Sequence, residues 1–172
     1  MKRGIIRTLG ITAAVAGLVG GILEIRMSAA TATANLTVSA TVITNCTITT
    51  SALAFGSYDP VVANASANLD GAGAVSVACT KGAAPTIALG AGSNASGSTR
   101  RMSDGASHYL TYELYQDASR ATVWSGSGSG LLTTVAAPSK GARDFTVYGR
   151  ISGNQDVPAG TYGDTVVATV NF

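Results

Sequence analysis

From Asn35 onward, apolar and polar residues alternate singly and do not recur at the three- and four-residue spacing of a helix. In "NLTVSATVI", Leu36, Val38, Ala40 and Val42 fall on one side of an extended backbone and Thr37, Ser39 and Thr41 on the other, since successive side chains of a strand point to opposite faces. The same period runs through "GDTVVATVNF" at 163–172, where Val166, Ala168, Val170 and Phe172 oppose Thr165, Val167, Thr169 and Asn171. "AVSVAC", "PTIAL", "YLTYELY", "LLTTV" and "DFTVYGRI" read as further short strands. Between them lie turn-forming clusters, with "GAGSNASGS" and "SGSGSG" as Gly/Ser-rich loops. The pattern predicts an all-β sandwich, and neither loop is long enough to divide it.

The first thirty residues break the alternation. "MKRGIIR" is cationic, Ile11 to Leu23 is almost wholly apolar, and "MSAATATA" offers several small-x-small cleavage sites. That order reads as a secretory signal peptide over residues 1–30, with cleavage within about residues 30–34. The rival is a retained anchor, but the apolar run is shorter than the roughly 20 residues that span a bilayer. Removing the leader takes away Lys2, Arg3, Arg7 and Arg26 against Glu24, so the formal charge moves from +2 to −1. The basicity therefore belongs to the export signal, and the mature part has no electrostatic footprint for nucleic acid. About 140 residues remain, enough for one domain with a real core.

Export changes the reading of Cys46 and Cys79. In an oxidising compartment a disulfide is the economical assignment, worth roughly 3 to 4 kcal/mol in the chain-entropy model for a loop of about 33 residues. A metal site and a reactive thiol stand as alternatives, although no histidine lies near either cysteine in sequence. His108, the single histidine, reads as a surface or hydrogen-bonded residue beside a strand. Asp104, Glu113 and Asp117 read as a solvated strand face and turn. Asn35, Asn45, Asn64 and Asn94 begin Asn-x-Ser/Thr sequons, which matter only in a host that glycosylates exported proteins. No GxSxG, HExxH, phosphate-binding or dinucleotide-binding motif is present, so neither catalysis nor a cofactor is expected.

Two segments remain to be placed. The alternating run before Cys46 is a strand seeking a sheet, and the alternating run at 163–172 is a sheet edge seeking a strand. Paired within one molecule they close a monomer; paired between molecules head-to-tail they grow a filament.

"CTI" at 46–48, "LAFGSYDP" at 53–60, "VSVACTKG" at 75–82, "RRM" at 100–102, "LTYELYQDAS" at 110–119 and "VYGRISGNQDVPAGTYGDTVVATVNF" at 147–172 together resemble the spore coat protein U family. That family includes the major subunits of archaic, Csu-type chaperone-usher pili. The resemblance implies an immunoglobulin-like sandwich lacking its last strand, with a hydrophobic groove filled first by a periplasmic chaperone. At the outer-membrane usher, the N-terminal segment of the next subunit then takes the groove. On this chain it implies a donor segment at residues 31–43 with Leu36, Val38, Ala40 and Val42 as candidate inward side chains. The sandwich domain would be residues 44–172, with an acceptor groove and chaperone edge including Val166, Ala168, Val170 and Phe172. Cys46 and Cys79 match the family's disulfide positions. A one-residue register slip would exchange the two faces of the donor.

The expectation is thus a pilus subunit, exported through the periplasm to the cell surface, homopolymeric, with adhesion and biofilm formation as the outcome. Two alternatives accompany it. One is a secreted spore or cell coat protein that forms no fibre. The other is a secreted carbohydrate-binding module using Trp124 with Tyr58, Tyr109, Tyr112, Tyr115, Tyr148 and Tyr162.

Overall fold

A computed structural model of the protein describes residues 27–172, so the expected leader lies outside the described residues apart from residues 27–30. Residues 1–39 and 40–172 are separate units. The described part of the first carries no regular element and is exposed throughout.

The second unit is all-β. Its strands are β1 (Cys46–Ser51), β2 (Leu69–Cys79), β3 (Thr86–Leu89), β4 (Arg101–Ser103), β5 (Tyr109–Tyr115), β6 (Leu132–Thr133), β7 (Arg143–Ile151) and β8 (Ala168–Asn171). One sheet has the order β1-β2-β7-β5-β4 and the other β6-β3-β8, and every pairing is antiparallel. Alternation selects the inner face: in β2 Val75, Val77 and Cys79 are buried, in β5 Leu110, Tyr112 and Leu114, in β7 Val147 and Ile151. Ile87 and Leu89 of β3 meet them from the other sheet, and Trp124 fills the space between with no exposed surface. The indole N–H donates to the Ile87 carbonyl at 2.9 Å, so its one polar atom is satisfied inside the core.

Several strand expectations change. "NLTVSATVI" forms no strand: residues 36–44 carry no regular structure, with Leu36 86%, Val38 83% and Val42 84% exposed. Alternation specifies a strand only where a partner offers ladder hydrogen bonds, and these residues have none. The terminal strand covers only Ala168–Asn171, and Phe172 is 60% exposed and not part of the core. β1 and β4 were not expected, since "CTITTS" is polar and "RMS" is three residues long. β2 begins five residues before "AVSVAC", because Gly71 and Gly73 extend its ladder opposite Gly149 and Val147 of β7.

Candidate functional site

β1 and β8 are the outer strands of their sheets on the same side of the sandwich. β8 pairs with β3 through Leu89↔Ala168 to Thr86↔Asn171, and the chain before it continues that pairing, Gly90 N–H to Val167 O at 2.9 Å and Ser93 N–H to Thr165 O at 3.0 Å. In an antiparallel ladder the backbone groups of alternate residues point to opposite edges. Those of Val166, Ala168 and Val170 therefore point away from β3, to a side where no described strand pairs with β8. The side chains of the same three residues are half-buried and pack on the core.

Beside this edge runs an apolar groove in two continuous sections. One, of about 360 Å³, has walls from Thr50–Leu53 and Phe55 on the β1 side and Tyr162–Val166 with Ala168 on the β8 side. Its floor includes Val75, Leu89, Leu114 and Val147, which belong to the core. The other, of about 670 Å³, is formed by Leu53–Tyr58 and Pro60 facing Val157–Tyr162, over Leu110 and Ile151. Leu53, Phe55, Met102 and Tyr162 are common to both. The two sections together form a groove beside the outer strand β8, with core residues as its floor.

The wall residues Leu53 and Phe55 lie in a segment without regular structure, and glycines of the facing strands seat them. A Cβ at Gly149 would come within 2.7 Å of Phe55 Cζ and 2.9 Å of Leu53 Cδ1; one at Gly73 would meet Leu53 Cβ at 3.0 Å. The opposite wall is tied down by polar groups. The Tyr112 hydroxyl donates to Asp164 Oδ2 at 2.7 Å, and Asp164 Oδ1 accepts from the Asn94 backbone and side-chain N–H groups at 3.1 and 3.2 Å. Burial, reinforced by this bond to the carboxylate, pushes the Tyr112 phenol well above its ordinary range. Ser103 and Gly163 exchange backbone hydrogen bonds of 2.9 and 3.0 Å. At the wider end the Gln155 side chain substitutes for a strand, accepting from Thr111 N–H at 2.7 Å and donating to Thr111 O at 2.9 Å.

Arg100, 3% exposed, joins the two sheets near the narrower section. It pairs with Glu113 of β5 and donates to Leu89 O at 2.9 Å, Gly90 O at 2.8 Å and Trp124 O at 2.8 Å. Glu113 is therefore not the solvated strand residue its position suggests. Asp117 does sit in a turn, accepting from the Ser119 hydroxyl and from Ala121 and Thr122 N–H groups, which lower its pKa. Asp104 takes the His108 Nδ1 at 2.6 Å in an exposed turn. Cys46 and Cys79 form a disulfide that staples the first residue of β1 to the last of β2. Among the described residues no group of three or more His, Cys, Asp or Glu could hold a metal ion, and no helix is long and apolar enough to cross a membrane.

Of the residues expected at the acceptor edge, Val166 and Ala168 line the groove, Val170 packs beside it on the core, and Phe172 projects into solvent. Trp124 is fully buried and takes no part in a surface aromatic platform, so the carbohydrate-binding alternative would rest on the tyrosines alone. Leu53, Phe55 and Met102 were not expected at the groove, and Tyr58, Tyr112 and Tyr162, which line it, were singled out only as a carbohydrate platform; "LAFGSYDP" held Leu53, Phe55 and Tyr58 without an alternation to mark them.

The family model for the Spore Coat Protein U domain matches residues 32–169. The chain belongs to the Spore Coat Protein U domain family. Within reach of that family, it is 44% identical over 159 residues to "Protein U" of Myxococcus xanthus, covering 84% of this chain and 87% of that protein. Among solved structures, the Spore Coat Protein U domain chain resembles one from the CsuC-CsuE chaperone–tip adhesion subunit pre-assembly complex of the archaic chaperone-usher Csu pili of Acinetobacter baumannii. The TM-score is 0.55 at 21% identity, over 77% of this chain and 41% of that one. The chain thus spans about two fifths of that solved chain, and the likeness is one of fold: the immunoglobulin-like antiparallel sandwich.

Proposed function

We propose that this Spore Coat Protein U domain protein is a structural subunit of a chaperone-usher surface pilus. In this reading it polymerises by donor-strand exchange, and adhesion and biofilm formation follow at the cell surface. The carrying observation is the unpaired edge of β8 above an apolar groove, in a chain whose Leu36, Val38, Ala40 and Val42 alternate yet lie exposed outside any sheet. The donor would be residues 31–43 of a neighbouring copy, and the acceptor would include Val166, Ala168 and Val170. A periplasmic chaperone would cover the groove before assembly, and an outer-membrane usher would exchange it for the donor. The shared fold with a subunit solved in complex with its chaperone supports that order.

Magnitudes support it too. Burying four small or medium apolar side chains is worth about 4 to 10 kcal/mol gross. Each added ladder hydrogen bond contributes about 0.5 to 1.5 kcal/mol net, and association entropy offsets part of the total.

The family description favours a second reading, a coat protein that completes its own sandwich and forms no fibre. Deleting residues 31–43 separates the two. A pilus subunit so truncated still binds its chaperone and still accepts a synthetic peptide of residues 31–43, but no longer forms polymers visible by electron microscopy. A self-completing coat protein loses its fold instead, with no polymer to lose.

A further inference from the structure

The antiparallel registers give the sandwich two distinct ends. At one, which we term the base, the start of β1, the end of β2 and the start of β7 meet. Hydrogen bonds tie them: Thr80 N–H to Asn45 O at 2.9 Å, Gly82 N–H to Ala137 O at 2.8 Å, Arg143 Nη1 to Val135 O at 2.8 Å. Lys81, Lys140 and Arg143 stand on this end, with Asp144 as the acid beside them, and Val135 is 80% exposed among them. Both lysines outside the leader are here. The arginines elsewhere are engaged within the domain: Arg100 in the core, Arg120 and Arg150 on Asp70, Arg101 on the Asn94 carbonyl.

The opposite end, the cap, carries the wide section of the groove. Its surface is a braced turn in which Asp59 Oδ1 accepts from Val61 and Val62 N–H groups at 2.9 and 3.1 Å. The buried Asn64 side chain accepts from Asp59 N–H at 3.0 Å and donates to Ala67 O at 3.0 Å, and Asn154 N–H donates to Asn64 O at 2.8 Å. This bracing holds Val61 and Val62 outward, 81% and 77% exposed, beside the carboxylates of Asp59 and the exposed Asp156. Two apolar side chains held in water by a rigid acidic turn are matched, at the base, by an exposed valine among cations.

We infer that the cap of one subunit docks on the base of the next, acid against base and valine against valine. The occupant of the Asp59–Asn64 turn is therefore a second copy of this chain. The inference rests on the donor-strand reading. Two residues, Thr44 and Asn45, separate the donor from Cys46, so wherever the donor leaves the groove, the base of its owner must follow within about 10 Å. A donor antiparallel to β8 leaves at the cap and brings the basic end to the acidic one. A parallel donor would bring two basic ends together, which like-charge repulsion opposes. The charges thus select the direction in which the donor enters as well as adding a contact.

The test is assembly of the full-length chain with its own export and assembly partners, followed by light scattering and electron microscopy. Between about 20 and 500 mM salt, the elongation rate should fall about tenfold. Reversing the base with Lys81→Glu and Lys140→Glu should slow elongation by a similar factor and invert its salt dependence, added salt now speeding elongation by screening the repulsion. Asp156→Lys in that background leaves the cap neutral beside Asp59 and should recover most of the lost rate while flattening the salt dependence. Val61→Ser with Val62→Ser, both exposed, should shorten polymers without affecting folding, read as unchanged Trp124 fluorescence. Polymers that elongate at the wild-type rate in the charge-reversed variant, with no salt dependence in the wild type, overturn this contact while leaving the donor strand standing. Polymers that persist when residues 31–43 are deleted overturn the donor-strand reading itself, and this inference with it.

Discussion

Replacing Arg100 by Met removes a buried side chain that hydrogen-bonds across both sheets beside the open edge. The guanidinium is 3% exposed, pairs with Glu113 and donates to the carbonyls of Leu89, Gly90 and Trp124. Removing one partner of a buried ion pair costs about 3 to 5 kcal/mol. Glu113 keeps 31% of its side-chain surface in water, which hydrates the stranded carboxylate and brings the figure to the lower end. The three carbonyls each lose a charge-assisted donor, and the Met side chain recovers part of the apolar packing. The net expectation is about 3 kcal/mol, which for a domain of this size is a fall of about 10 °C in Tm. Urea unfolding followed by the single, fully buried Trp124, with the disulfide oxidised, reads this directly. Arg100→Lys should lose about half as much, because an ammonium cannot span the same fork of acceptors. A loss under about 1 kcal/mol in Arg100→Met would refute the assignment of Arg100 as the link between the sheets.

Other consequences follow from the same geometry. Cys46→Ser with Cys79→Ser, or reduction of the wild type, should lower urea-unfolding stability by about 3 to 4 kcal/mol, as expected for opening a loop with a sequence separation of 33 residues. The pH profile should be a plateau with two edges. Hydrogen bonds from Val62 and Val61 N–H groups hold Asp59 below the ordinary carboxylate range; the Arg150 guanidinium does so for Asp70, and the Ser119 hydroxyl with two backbone N–H groups for Asp117. Their stabilisation is complete above about pH 4 and lost as pH falls through the lowered values. Burial raises the Tyr112 phenol, so its contribution is complete below about pH 10 and lost as pH rises beyond. In a spectrophotometric titration one tyrosine should ionise only together with unfolding, and in Tyr112→Phe that delayed step should vanish.

The sandwich was legible where one face of a strand is buried. Val75, Val77, Leu110, Leu114 and Val147 alternate with polar or small neighbours because the fold needs them to, and the alternation shows in the sequence. β1 was not legible, since its outward Thr and Ser residues leave only Ile48 and Cys46 as inward signals. Residues 36–43 show the opposite failure: the pattern of a strand is present and the strand is not, because alternation alone supplies no ladder partner. The groove walls were hidden for a different reason. Leu53 and Phe55 sit where they do because of glycines at 71, 73 and 149, a relation that exists only once β2 and β7 are side by side. Arg100 carried no mark either, as four of its five hydrogen bonds end on backbone carbonyls, which sequence does not display.

The central claim is that the donor segment, residues 31–43, of one molecule fills the edge of β8 in another, and cysteine trapping tests it most directly. Copies carrying Ala40→Cys are assembled with larger, tagged copies carrying Cys in place of Val166, Ala168 or Val170, one position at a time, and then oxidised. The account predicts a disulfide-linked pair of one small and one large chain at one of those positions, absent when residues 31–43 are scrambled around the retained Ala40→Cys substitution. A double variant that instead cross-links within a single chain at every dilution, with no mixed pair at any of the three positions, contradicts it.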